Sequence, residues 1–84
     1  MGKIQGVTLA KNQIIIYDGR GNEIFQSYNS IIAKKTKSGK VYLDKRYWDY
    51  SKTTGKYRNK FLGESVAETR KKIASKKYTL KNLN

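Results

Sequence analysis

The residue pattern predicts a small α+β domain: an antiparallel β-sheet built from hairpins, with one α-helix in the C-terminal half, over about residues 65–76. Short β-branched and aromatic runs alternate with glycine-bearing turns as far as Leu62, and a single capping box, Ser65 with Glu68, opens the one helix-like run. Size is the third observation. Eighty-four residues make one domain, 1–84, and a chain with no cysteine and no histidine has neither a disulfide nor an ordinary zinc site to hold it together. A chain this short buries only roughly 60–65% of the surface its unfolded form exposes, so the fold rests on one modest core or on a partner subunit.

Taken in order, Ile4 to Leu9 alternates weakly, with Val7 and Leu9 on one face, and Ala10-Lys11-Asn12 forms a turn. Gln13 to Tyr17, with three consecutive isoleucines, is a strand. Asp18-Gly19-Arg20-Gly21-Asn22 turns the chain, because both glycines accept positive φ, and Glu23 to Tyr28 returns as the second arm of a hairpin. The Gly-x-Gly here is no phosphate loop, since neither a third glycine nor a helix follows it. Ile31-Ile32-Ala33 starts another apolar run. Lys34 to Lys40 is a basic hairpin tip with Gly39 left-handed, and Val41-Tyr42-Leu43 alternates with Tyr42 outward, closed by Asp44.

Tyr47 to Leu62 holds the only tryptophan and three of the seven tyrosines. Tyr47-Trp48-Asp49-Tyr50 and Lys56 to Phe61 are expected as the arms of a hairpin across a Ser51–Gly55 turn. That alternation places Tyr57, Asn59 and Phe61 on one face and Arg58 and Lys60 on the other. Trp48 and Phe61 are expected in the core, Tyr42 and Tyr50 as exposed rings. In the helix that follows, acids at the start (Glu64, Glu68) and cations later (Arg70, Lys71, Lys72) match the helix dipole. Its apolar stripe, Val66 and Ile73, is thin, and Tyr78-Thr79-Leu80 reads as a last short strand.

Charge is the strongest global property. Nineteen lysines and arginines against six acids give a formal +13, above the magnitude of about 2–8 usual for a small soluble domain. The excess is uneven: residues 1–33 carry a net +1, residues 34–62 +8 and residues 63–84 +4. Such asymmetry favours a polyanionic partner. Catalysis is not expected, because the commonest general base and the most reactive nucleophile are both absent. Asp44 and Asp49 sit among cations and read as ion-pair partners of Lys45, Arg46 or Arg58, and no cofactor or metal is expected. The candidate nucleic-acid-binding residues are Lys34, Lys35, Lys37, Tyr50, Lys52, Thr53, Thr54, Lys56, Arg58, Lys60, Arg70 and Lys71. Lysine and arginine neutralise phosphates, hydroxyls fix a phosphate by hydrogen bonds, and an exposed ring stacks on an unpaired base.

The end of the chain resembles the sheet-plus-helix DNA-binding units of some recombinase arm-binding domains, in which strands ending in a Thr-Gly-Lys turn precede a helix opening much like Glu64–Glu68. That resemblance implies a sheet laid into the major groove. A second resemblance covers roughly Tyr28 to Asn84. Tyr28-Asn29-Ser30-Ile31-Ile32-Ala33, Trp48-Asp49-Tyr50-Ser51, Thr53-Thr54-Gly55-Lys56-Tyr57-Arg58, Phe61-Leu62 and the ending through Tyr78-Thr79-Leu80 to Asn82-Leu83-Asn84 are similar to a family of small bacteriophage proteins of unknown function. It implies a phage origin and a host-cytoplasm setting.

Three classes of function remain open on these residues. One is a non-enzymatic nucleic-acid-binding protein, with DNA favoured over RNA. Another is a host-directed inhibitor or anti-defence protein docking on an acidic protein surface. The third is a structural homo-oligomer meeting through the neutral Ile14–Tyr17 strand. No apolar run approaches the ~20 residues of a membrane span, Met1 to Gly6 lacks a secretion signal, and Gly6 stands where a myristoylation motif wants Ser or Thr. The expected setting is the cytoplasm, without a membrane partner.

Overall fold

Alternation of buried and half-buried side chains organises a computed structural model that describes residues 5–84; the expectations for Met1 to Ile4 fall outside it. Strands β1 (Gln5–Ala10), β2 (Gln13–Tyr17), β3 (Glu23–Ser27), β4 (Ser30–Lys35) and β5 (Val41–Asp44) form an antiparallel meander. Helices α1 (Lys52–Leu62) and α2 (Val66–Ala74) then carry the chain back, so that β6 (Tyr78–Lys81) pairs parallel to β5. The architecture is the expected α+β class, with a mostly antiparallel sheet.

The turns form where the residue types allow them. Gly19, Gly21 and Gly39 take φ of 78°, 94° and 90°, and Asn12, one of the residues that tolerates the left-handed region, takes 65°. In the β2–β3 hairpin Asp18 accepts the N–H groups of Arg20 and Asn22, which closes the turn. Paired residues share a face, so the register places Ile15, Phe25, Ala33 and Leu43 in one cross-strand row under the helices. Val41 and Leu43 point inward and Tyr42 outward, as expected. The opposite face carries Ile14, Ile16 and Ile24, all half-buried, with Lys34 opposite Tyr42.

The hairpin expected across Ser51–Gly55 does not form. Tyr47–Tyr50 is a turn and bend rather than its first strand, and Lys52–Leu62 is a helix, not the turn and second arm. Its buried residues, Thr54, Gly55, Arg58 and Phe61, recur at helical spacing, which lays one stripe on β2 and β3. Phe61 stacks on Phe25 with ring centroids 5.8 Å apart. Ser51 is the N-cap, its hydroxyl accepting the Thr54 N–H at 3.1 Å, and Gly63 ends the helix in the left-handed conformation, φ 71°. The expected helix over 65–76 is α2, opened by the Ser65–Glu68 capping box. Two helices therefore stand where one was expected. Among the described residues, no helix is long and apolar enough to cross a membrane.

Candidate functional site

The segment between β5 and α1 is shaped by Asp44. Its buried carboxylate accepts the N–H groups of Arg46, Tyr47 and Leu83, tying the turn to the C-terminal tail. Burial pushes this carboxyl up, but the hydrogen bonds, that from Leu83 foremost, outweigh it and hold the pKa below the ordinary value. Asp44 thus serves backbone amides, where ion pairing with Lys45 or Arg46 was expected.

Beyond this turn Trp48 lies beside two arginines. The Arg58 guanidinium is 5.1 Å from the Trp48 ring and that of Arg70 is 5.7 Å away, and Asp49 bonds both, at 3.0 and 2.8 Å. Arg58 is only 1% exposed. It also donates to the Trp48 carbonyl and to the Asn59 side chain. A planar fork with five donors suits this junction, because it bonds a carbonyl, a carboxylate and an amide at once. The Asp49–Arg58 pair is therefore one of those expected, but Arg58 is corrected from a surface cation to an internal strut of the helical layer.

Around this junction opens a cleft of about 620 Å³ lined by Tyr50, Ser51, Lys52, Lys56, Asn59 and Arg70, among others. Tyr50 is 46% exposed and meets Tyr47 edge-on at 5.7 Å. Lys52, Thr53 and Lys56 are exposed along the start of α1. Lys56 and Lys60 both lie against the Tyr57 ring, at 5.5 and 5.2 Å. Arg70 and Lys71 extend the cationic surface onto α2. Seven sequence-predicted residues, Tyr50, Lys52, Thr53, Lys56, Lys60, Arg70 and Lys71, thus share the helical layer and face solvent.

The remaining predicted residues do not join them. Thr54 is fully buried, its hydroxyl 2.8 Å from that of Ser27. Lys35 donates to the Phe61 carbonyl at 2.8 Å and lies 4.4 Å from the Phe61 ring, so it serves the C-terminal end of α1. Lys34 belongs to the far face of the sheet, and Lys37 stands on the β4–β5 hairpin, where its N–H donates to the Asn22 side chain and its own side chain lies against Gly21 of the β2–β3 turn. Asn59 enters the cleft unpredicted. The signal for it was helical spacing, which places Ser51, Gly55 and Asn59 along one side of α1.

A second polar cluster locks α2 to β6. The Glu64 carboxylate, 4% exposed, accepts from Thr69, Lys72 and Tyr78 at 2.6, 2.7 and 2.6 Å. Burial pushes Glu64 up, yet the bond from Lys72 and those from Thr69 and Tyr78 prevail and hold it below 4.5. The hydrogen bond to Glu64 raises Lys72, and burial together with Glu64 raises the Tyr78 hydroxyl. Among the described residues, no group of three or more acids comes together as a metal-ligating set.

The chain matches no curated protein and no solved structure. Residues 1–79 match a family of unknown function, DUF8033, and the match takes in residues 1–27, which lie outside the stretch that carries the phage resemblance. By that coverage, from β1 into β6, the chain belongs to the DUF8033 family.

Proposed function

We propose that this protein binds nucleic acid without chemistry, DNA in preference to RNA, through the cationic surface of its two helices, and that it does so as a phage protein in host cytoplasm. The observation that carries the reading is the segregation of charge. Five of the six acids are bound into turns, caps and internal pairs: Asp18, Asp44, Asp49, Glu64 and Glu68. Lys52, Lys56, Lys60 and Lys71 meanwhile stand in solvent with no acid against them among the described residues. A surface of that kind gains by releasing counterions from phosphates. Tyr50, exposed at the mouth of the cleft, supplies a ring on which an unpaired base can stack, worth about 1–3 kcal/mol.

The test is a titration of nuclease-treated protein with fluorescent duplex and single-stranded DNA and RNA at several salt concentrations. Tight binding is expected at low salt, with the logarithm of affinity falling by about 0.9 per phosphate neutralised on duplex DNA. Replacing Lys52, Lys56 and Lys60 together by Gln is expected to make that slope shallower by roughly 2–3. No binding at low salt ends the proposal. Stoichiometric capture of an acidic protein from nuclease-treated host lysate by a chain that ignores nucleic acid would reassign the surface.

A further inference from the structure

The two edges of the sheet are built differently. β6, at one edge, is four residues long, follows Lys76 and Lys77 and ends in Lys81. Short length and lysines are the means by which edge strands avoid pairing with another chain. β1, at the other edge, is six residues, Gln-Gly-Val-Thr-Leu-Ala, without a charge or a proline, in a chain of which 19 residues are Lys or Arg. Among the described residues β1 pairs only with β2, so its outer row of N–H and C=O groups has no strand against it. Val7 shares the face of Ile15, yet it is 45% exposed, whereas Leu9, further along the strand, packs against the core.

We propose that β1 is a self-association edge, on which a second copy of this chain pairs antiparallel, β1 to β1, about a two-fold axis perpendicular to the sheet. Identical strands running antiparallel are self-complementary, as a two-fold interface requires. Pairing with β2 runs in unbroken register from Gln5 to Thr8 and shifts only between Thr8 and Ala10; the proposed axis is set at Val7, the exposed apolar residue of this regular stretch. Gly6 then faces Thr8 of the second copy, Val7 is covered by its counterpart, and both helical layers lie on one side of a continuous sheet.

Charge selects the occupant. Two molecules of formal +13 repel, and the only third of the chain near neutrality is residues 1–33, at +1. Within Gln5–Ala10 neither copy brings a cation to the other, and Lys11 lies just past the end of the strand. An acidic partner finds no cation on this strand and is drawn to residues 34–84 instead. The strand expected as a homo-oligomer interface, Ile14–Tyr17, is β2, which is paired on both sides; the open edge lies one strand further out. This inference is independent of nucleic-acid binding, and either can fail alone.

Sedimentation equilibrium of the nuclease-treated full chain decides it. The expected mass rises with concentration from 9.7 kDa towards twice that value, and added salt moves the midpoint to lower concentration by screening the repulsion. Val7→Lys, which sets two cations together at the axis, is expected to abolish the dimer, and Leu80→Lys on the opposite edge to leave it unchanged. A chain that stays monomeric at high concentration and high salt, a dimer that survives Val7→Lys, or one lost in a Leu80→Lys chain whose circular dichroism remains native overturns the proposal. Amide exchange of the unaltered protein gives a readout that no variant's folding can confuse. Outward N–H groups of β1 are expected to gain protection as concentration rises while those of β6 do not, and equal behaviour at the two edges would refute β1 pairing.

Discussion

Arg58 holds its place by what surrounds it rather than by its charge alone. A guanidinium 1% exposed is costly to desolvate, and its hydrogen bonds to the Trp48 carbonyl, Asp49 and Asn59 offset that cost. Arg58→Ala removes a donor from the half-buried Trp48 carbonyl and leaves Asp49 with Arg70 alone. It is expected to destabilise the protein by about 3 kcal/mol, read from urea unfolding, whereas Lys60→Ala should change stability by less than about 0.5 kcal/mol. Glu64 makes a second residue-level case. Its folded pKa is depressed, so its contribution is present above the ordinary value of 4.5 and lost as pH falls through the folded value. Lys72 and Tyr78 are raised, so theirs is present below 10.5 and 10.0 and lost as pH rises through their folded values. Melting temperature is therefore expected to stay level across neutral pH and fall on both sides. Glu64→Gln should lower the plateau and flatten both flanks, and an unchanged profile in that variant would show that the network contributes nothing.

At the scale of the element, α1 shows how one substitution takes opposite signs at two ends of a helix. Gly63 has φ 71° with open space around it, so Gly63→Ala meets only backbone strain and is expected to cost about 1 kcal/mol. Gly55 lies within the helix, and a Cβ there would reach Arg58 at an ordinary contact distance of 3.5 Å. Gly55→Ala is expected to stabilise by about 0.5–1 kcal/mol through helix propensity. Shifts of urea midpoint in the same direction for both variants would contradict this account. The same helix marks where the sequence misleads. β2 to β5 were legible because period-two alternation and turn residues agree over each strand, and α2 because its capping box is unambiguous. In α1 the two levels disagree. Ser51-Lys52-Thr53-Thr54-Gly55 has turn composition, and Tyr57, Asn59 and Phe61 alternate. Thr54, Arg58 and Phe61 nevertheless follow the helical period, with a buried arginine standing where an apolar residue would have declared it.

For the whole molecule, the candidate site was legible as composition and not as geometry. The basic excess and the exposed ring of Tyr50 can be read from the chain, but Arg58, Thr54 and Lys35 turn inward because a helix distributes neighbours around its axis and a strand does not. The parallel β5–β6 pair adds a consequence for the order in which the chain assembles. The hairpins of the meander close between near neighbours, but Val41 and Tyr78 meet only after both helices have reversed the chain, so entropy opposes this contact longest. β6 is then a latch that shuts last. In stopped-flow experiments Leu80→Ala should speed unfolding and leave the folding rate nearly unchanged, while Phe25→Ala, in the meander, should slow folding. Equal slowing by both would place the latch in the nucleus. A late latch makes the lifetime of the native state, rather than the speed of reaching it, the property that the last strand controls.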